Sequence, residues 1–106
     1  MIADTPEPPY VAVIFTSVQS DDTAGYADTA LRMEALAREQ PGYLGFESAH
    51  GDIGISVSYW ATTDDARAWK GVVEHLEAQR LGRERWYAAY RVRVARVERE
   101  YGGGLR

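Results

Sequence analysis

The chain contains no cysteine and no asparagine, and its only two histidines are His50 and His75. The lack of cysteine excludes disulfides, thiolate catalysis and cysteine-ligated metal sites. Two histidines far apart in the sequence form no recognised metal-binding pattern, so we predict no metal site. The sequence also has no glycine-rich phosphate loop, and none of its serines lies in a nucleophile elbow.

Long apolar runs are missing as well. No segment approaches the roughly 18 apolar residues of a membrane-spanning helix. The first residues, MIADTPEPPY, lack the basic region and the apolar region of a signal peptide. We therefore expect a cytoplasmic protein that does not enter a membrane.

The charge balance gives no sign of a nucleic-acid partner. Acidic residues outnumber basic ones by 16 to 12, so the net charge is −4 and no broad basic field attracts phosphates. The arginines concentrate between residues 80 and 99, where they alternate with tyrosine and valine. Such alternation is typical of a β-strand, and we predict a strand there and no nucleic-acid binding.

The first part of the chain predicts a strand followed by a helix. Residues 9–18, PYVAVIFTSV, are rich in β-branched and aromatic side chains, as in a strand covered on both faces. From residue 24 to 40, apolar side chains recur at helical spacing. The residues on that apolar face are Tyr26, Ala30, Met33 and Ala37. The tripeptide QPG at 40–42 then ends the helix, because proline cannot join the helical hydrogen-bond ladder.

The remaining sequence predicts a hairpin, a second helix and a last strand. Strands 43–50 and 53–61 flank the dipeptide GD, and a two-residue turn with glycine first favours a tight hairpin. The second helix starts at Thr62, has a capping-box spacing to Asp65, and runs to about residue 81. Residues 87–100 alternate as a final strand.

The predicted element order is β-α-β-β-α-β, which is typical of a ferredoxin-like α+β fold. We expect a four-stranded antiparallel sheet with two helices on one face. One domain accounts for residues 9–100. Residues 1–8 and 101–106 have the composition of flexible tails.

The predicted hairpin register places Phe46 opposite Val57, and Tyr43 opposite Trp60, on two different faces. It puts Tyr43 and Trp60 on the sheet face away from the helices. Exposed aromatics on such a face usually mark an interface, so we predict a homodimer in which two sheets face each other. The predicted interface residues are Tyr43, Glu47, Trp60, Arg91 and Arg93. Glu47 is expected to pair with one of the arginines, and a solvated polar face is the alternative.

The sequence resembles the antibiotic biosynthesis monooxygenase family of dimeric α/β barrels over residues 9–100. The resemblance rests on QPGYLGFES, on ISVSYWATTDDARAWKGVVEHLEAQR and on the element order. That family has a Pro-Gly-aromatic turn before the second strand, a Trp at the end of the third strand, an acidic cap, and a helix that carries an aromatic residue and then a His. The matching residues are Pro41-Gly42-Tyr43, Trp60, Asp64-Asp65, Trp69 and His75.

The resemblance implies a pocket in each subunit, between the helices and the sheet, for a small aromatic ligand. Its predicted lining residues are Phe15, Tyr26, Met33, Tyr59, Trp69, Val72, His75 and Tyr90. Such an aromatic lining suits a flat organic molecule. The alternative for these aromatic residues is ordinary core packing.

His75 and Trp69 are the predicted catalytic residues. His75 follows Val72 at the border of the apolar stripe, where an imidazole could take or give a proton at neutral pH. The alternative is a core tryptophan and a half-exposed histidine on the surface. His50 precedes the hairpin turn and is expected to be exposed.

Three functions remain open at this point. The resemblance implies a monooxygenase that needs no cofactor, in which a base deprotonates a phenol-like or quinol-like substrate and the anion reacts with O₂. A second possibility is a non-catalytic barrel that binds an apolar ligand or a partner. The third is haem binding and degradation, with His75 as the axial ligand. The haem-degrading branch uses an asparagine that this chain lacks, and its Trp-to-His spacing is longer.

Overall fold

The computed structural model describes residues 2–19, 26–79 and 87–104, with side chains at 2–18, 31–73 and 89–104. The elements follow the predicted β-α-β-β-α-β order. They are β1 (Tyr10–Gln19), α1 (Tyr26–Arg38), β2 (Tyr43–Ala49), β3 (Gly54–Trp60), α2 (Thr63–Gln79) and β4 (Tyr87–Val97). All strand pairs are antiparallel, and the sheet order is β2-β3-β1-β4. The ferredoxin-like prediction is confirmed.

The core lies between the helices and one face of the sheet. Trp60 at the end of β3 is fully buried, and Trp69 on α2 is 6% exposed. The helices contribute Ala37 and Ala66, and β1 contributes Val11 and Val13. Because side chains alternate along a strand, the residues next to these on β1 and β3 face the opposite side, called here the open face.

The start of α2 is held by a reciprocal cap. The Asp65 amide donates a hydrogen bond to Thr62 Oγ1 (3.0 Å), and the Thr62 hydroxyl donates to Asp65 Oδ2 (2.9 Å). The predicted capping pair is therefore present, although the Asp65 carboxylate accepts from the Thr62 side chain instead of its backbone. Gly42 fits against this cap with φ +80°, and a Cβ there would lie 2.1 Å from Asp65 Oδ2. The turn before β2 thus requires glycine both for its conformation and for its space.

The predicted register of β2 against β3 is wrong by one residue over most of its length. Tyr43 does pair with Trp60, but Phe46 then lies opposite Ser58, and Glu47 lies opposite Val57. An irregularity between residues 43 and 45 inserts one extra residue, so Glu47 shares a face with Val57 and Tyr59, whereas the predicted register had placed it on the opposite face from them.

The predicted faces change as a result. Trp60 and Tyr43 lie on the helix side, where their rings meet edge to face at 5.8 Å. Tyr59 lies on the open face. The physical reason is that burying Trp60, a large aromatic side chain, in the core is worth more than presenting it on the outer face.

Candidate functional site

The helix side of β1 and β4 carries a pair of stacked aromatic rings. Phe15 and Tyr90 have ring centroids 5.5 Å apart and planes inclined by 19°. They lie on neighbouring strands, since Ser17 pairs with Tyr90 and Phe15 pairs with Val92. Tyr90 is 46% exposed although it lies on the face that the helices cover.

This part of the sheet is less covered because the helices pack mainly over the other strands. α1 contacts β2, and α2 contacts β1 and β3. Val92 packs against the core, whereas Val94, two residues along β4, is half exposed. The Phe15–Tyr90 stack and Val94 therefore form a partly exposed apolar surface on the helix side of β1 and β4, called here the cleft, with the stack as its floor. A flat aromatic molecule can bury area against such a surface.

The open face presents a different mixture of side chains. Ile14 and Val57 lie side by side at its centre and are half-buried, and Ile55 is 42% exposed. Arg91 and Arg93 on β4 are exposed on this face. Arg93 pairs with Ile14 in the register, so a row of apolar side chains ends in a cation.

Tyr59 forms part of a polar cluster on the open face. Its hydroxyl donates a hydrogen bond to Glu47 Oε1 (2.7 Å), and its ring meets Tyr10 edge to face at 5.7 Å. Burial first, and then the hydrogen bond to the Glu47 carboxylate, raise the pKa of Tyr59 above its ordinary value. The hydroxyl therefore stays protonated well into the alkaline range.

The N-terminal segment lies over the β2 side of this cluster. The Ala3 amide donates to Glu47 Oε2 (2.8 Å), and a Cβ added to Gly45 would lie 2.8 Å from the Ala3 Cβ. Thr5 Oγ1 lies 3.0 Å from both the Tyr10 hydroxyl and Glu100 Oε1. The segment predicted to be a loose tail thus makes defined contacts with the sheet.

A model of the antibiotic biosynthesis monooxygenase family matches residues 9–81. The chain is also 50% identical over 101 residues to the uncharacterised protein YqjZ of Bacillus subtilis, a match that covers 93% of this chain and 89% of YqjZ. The chain belongs to the antibiotic biosynthesis monooxygenase family. The resemblance inferred from its motifs is confirmed.

Two solved structures of more distant relatives share the monooxygenase-family fold. SnoaB, a cofactor-independent oxygenase from Streptomyces nogalater, superposes with a TM-score of 0.69 at 13% identity, over 88% of this chain and 97% of SnoaB. A haem-degrading protein from Mycobacterium tuberculosis superposes with a TM-score of 0.52 at 19% identity, over 91% of this chain and all of that one. At such identities the likeness establishes the fold.

Of the predicted pocket residues, Phe15 and Tyr90 are in contact, and Val72 on α2 packs partly buried against the core. Met33 on α1 is also partly buried. The backbones of Tyr26 and His75 belong to α1 and α2, but the predictions for their side chains lie outside the described residues.

Other predicted site residues lie elsewhere in the fold. Tyr59 cannot line a pocket on the helix side, because it points to the open face, and its predicted pocket role is wrong. Trp69 is stacked on Trp60 inside the core, at 5.5 Å between ring centroids. The predicted interface role of Trp60 and Tyr43 is wrong as well, since both rings pack on the helix side.

The remaining predicted interface residues do lie on the open face, but within one chain they are far apart. Glu47 and Arg93 stand at opposite ends of a row across four strands, with Val57 and Ile14 between them. Glu47 is already held by Tyr59 and the Ala3 amide. Its predicted pairing with an arginine therefore requires a second copy of the chain.

His50 is exposed, as expected, and it has neighbours that the sequence did not predict. Its imidazole lies beside Gly54, close to the buried hydroxyl of Ser17. Only the three-dimensional pairing of β1 with β3 brings these residues together. In the part of the chain that the structure describes, no three His, Cys, Asp or Glu side chains gather as a metal site, and no helix could cross a bilayer.

Proposed function

We propose that this protein is a monooxygenase that oxidises an aromatic, quinol-like small molecule with O₂ and without a cofactor. The observation that carries the proposal is the stack of Phe15 on the half-exposed Tyr90, on the helix side of the sheet and outside the core around the two buried tryptophans. A stacked aromatic floor favours a flat, conjugated ligand. Membership of the family and the likeness to a cofactor-independent oxygenase support the same chemistry.

The reaction proposed for such a substrate is the conversion of an anthrone-type CH₂ group to a carbonyl. A base removes a proton from the substrate, and the resulting delocalised anion reduces O₂ and forms a carbon–oxygen bond. The hydroperoxide then loses water, so one oxygen atom enters the product and the other leaves as water. All four electrons come from the substrate, which is why the overall reaction balances without a metal or a flavin.

His75 is the proposed base. α2 follows β3 after two residues and runs back along the sheet in contact with β1 and β3. Its 17 residues span about 26 Å, close to the roughly 23 Å of the seven-residue β3. We therefore expect the second half of α2, which includes His75, to lie level with the start of β3, at the end of the sheet that carries Tyr90. An imidazole there is well suited to accept a proton near neutral pH.

The tyrosines and Trp69 have supporting roles in the proposal. Tyr90 supplies an aromatic surface for the ring and a hydroxyl that can stabilise the substrate anion, and Tyr26 at the start of α1 is proposed to assist. Trp69 is buried, so we assign it a positioning role. By stacking on Trp60 it holds α2 at the correct height above the floor of the cleft.

We further propose that two copies associate through their open faces. The apolar centre around Ile14 and Val57 needs a cover, and the arginines on β4 of one copy can meet Glu47 on β2 of the other. A two-fold axis that lies between the two sheets and runs parallel to the strands brings β2 of each copy opposite β4 of the other. The dimer leaves the cleft on the helix side of each copy accessible.

Oxygen uptake tests the proposal. Dithranol, an anthrone that is readily available, is added to the purified protein in an oxygen electrode, and its spontaneous oxidation is subtracted. We expect one O₂ consumed per anthrone, and His75→Ala should lower the rate by roughly 100-fold if the residue is the general base. Arg67→Gln is the matched control, because Arg67 lies exposed on the same helix with a surface ion pair to Asp64.

Two results would replace the proposed monooxygenase function by another one. A rate no higher than the spontaneous one, with this and other quinol-like substrates, would favour a binding protein. A Soret shift upon addition of haemin would favour the haem branch, to which the mycobacterial relative belongs. An unchanged rate in His75→Ala would remove His75 from the mechanism.

A further inference from the structure

The helix side of the sheet contains two buried polar side chains among the described residues, Ser17 and Ser58, each 4% exposed. Ser58 is engaged, since its Oγ accepts a hydrogen bond from the Trp60 indole at 2.9 Å. Ser17 sits near the other end of β1, where it pairs with Gly54 on β3. This hydroxyl has no part in the core around the tryptophans.

The Ser17 hydroxyl and the His50 imidazole converge above Gly54. A Cβ built on Gly54 would lie 3.2 Å from Ser17 Oγ and 3.6 Å from His50 Nδ1. The two groups are therefore separated by no more than the sum of these distances. Ser17 approaches from the interior and His50 from the exposed hairpin, and the glycine leaves the space between them free of a side chain.

This polar pair borders the aromatic floor of the cleft. Ser17 is the cross-strand partner of Tyr90, and it lies two residues from Phe15 on the same face of β1. Directly paired residues in an antiparallel sheet have Cβ atoms about 5 Å apart. An aromatic ring on the Phe15–Tyr90 stack can thus extend a substituent towards Ser17 and His50.

We propose that Ser17 and His50 form a polar subsite that binds a phenolic hydroxyl, or the oxyanion formed from it, on an aromatic ligand stacked against Phe15 and Tyr90. The ligand class rests on the proposed function. Serine and imidazole can each donate a hydrogen bond to an oxyanion, and each can accept one from a hydroxyl. Two donors at one end of an apolar cleft select a ring with an oxygen at one edge and stabilise negative charge there.

A matched pair of small probes tests the subsite without any turnover. 1-Naphthol and naphthalene have the same ring system and differ by one hydroxyl. Their dissociation constants are measured by NMR titration, in which the His50 ring signals should move with 1-naphthol. We expect the wild-type protein to prefer 1-naphthol, and Ser17→Ala and His50→Gln each to reduce that preference by about 3- to 10-fold. Naphthalene affinity should not change.

Two further variants sharpen the test. Gly54→Ala keeps both polar groups but fills the space between them, so it should also reduce the preference for 1-naphthol. Asp52→Asn changes an exposed residue of the same turn and should leave the preference at the wild-type value. Because His50 is exposed, His50→Gln tests the subsite without disturbing the core.

The possible results separate this inference from the proposed reaction. An undiminished preference for 1-naphthol in Ser17→Ala, His50→Gln and Gly54→Ala would overturn the subsite, even if the protein oxidises an anthrone. A reduced preference in all three, with no oxygen uptake, would uphold the subsite and overturn the reaction. Failure of both probes to bind the wild-type protein would overturn the subsite together with the ligand cleft.

Discussion

Trp69 on α2 stacks on Trp60 at the end of β3, with ring centroids 5.5 Å apart and planes inclined by 26°. Trp60 is fully buried, and its indole N–H is satisfied by Ser58. This stack joins the second helix to the sheet at the centre of the core. The height of α2 above the cleft therefore depends on a packing contact fewer than two helical turns before His75.

Removing this contact should destabilise the protein strongly. Trp69→Ala is expected to lower the free energy of unfolding by about 3–5 kcal/mol, because it leaves a cavity beside Trp60. Urea denaturation followed by circular dichroism measures the change. Arg67→Ala, an exposed substitution on the same helix, should stay within about 0.5 kcal/mol of the wild type. Equal stabilities for the two variants would contradict the structural role of the stack.

Trp69→Phe separates a positioning role from a catalytic one. Phenylalanine keeps an aromatic ring against Trp60, so we expect most of the stability and a measurable rate of anthrone oxidation to remain. Complete loss of oxidation in a variant that unfolds like the wild type would mean that the indole itself touches the substrate.

Stability should fall at high pH because of the buried tyrosines. Burial raises the pKa of Tyr59, Tyr43 and Tyr10 above the ordinary value of 10.0, and Glu47 adds to the rise at Tyr59. The unfolded chain therefore loses these protons first, so the stabilisation is complete below pH 10 and is lost as the pH rises towards the folded-state values. Tyr59→Phe should show a shallower loss of unfolding free energy between about pH 9 and 11. Identical slopes for both proteins would contradict this assignment.

The N-terminal segment should leave the sheet when the space between Gly45 and Ala3, called here the notch, is filled. Gly45→Ala places a Cβ 2.8 Å from the Ala3 Cβ, and the exposed segment can move away more easily than β2 can. We expect faster amide hydrogen exchange at Ala3 and faster proteolysis before residue 9. Gly71→Ala is the control, because a Cβ there meets nothing within 4 Å. Equal exchange at Ala3 in both variants would show that the notch does not hold the segment.

The open face should control association. Ile14→Glu puts a charge in the apolar centre of that face, beside Val57, and is expected to shift a dimer to monomers in sedimentation equilibrium. Ile53→Glu alters an apolar residue that is 54% exposed on the hairpin turn and should leave the dimer intact. A wild-type protein that sediments as a monomer, or a dimer unaffected by Ile14→Glu, would refute the proposed interface.

The element order could be predicted from the sequence because it follows from apolar periodicity and from local stop signals such as QPG at 40–42. The cap of α2 was also visible as a Thr62 to Asp65 spacing. The faces of the hairpin could not be predicted. One extra residue between Tyr43 and Gly45 shifts the alternation. Gly45 is compatible with such a bulge, but a glycine in a strand does not by itself fix the register.

The candidate site was predicted in part for the same reason. Phe15 and Tyr90 were identified through the family resemblance, and they do meet, because both point to the helix side. Tyr59 was assigned to the wrong face by the error in register. The neighbourhood of Ser17 and His50 depends on how the end of β1 meets the start of β3, which no local pattern encodes.

A crystal structure with 1,8-dihydroxyanthraquinone, a stable molecule with the ring system of an anthrone oxidation product, shows whether the cleft binds an aromatic ligand. We expect a ring plane parallel to Phe15 and Tyr90 on the helix side of the sheet, with an oxygen edge directed towards Ser17. A ligand bound only on the open face, or a cleft filled by the protein's own side chains with no ligand between α2 and β4, would contradict this expectation.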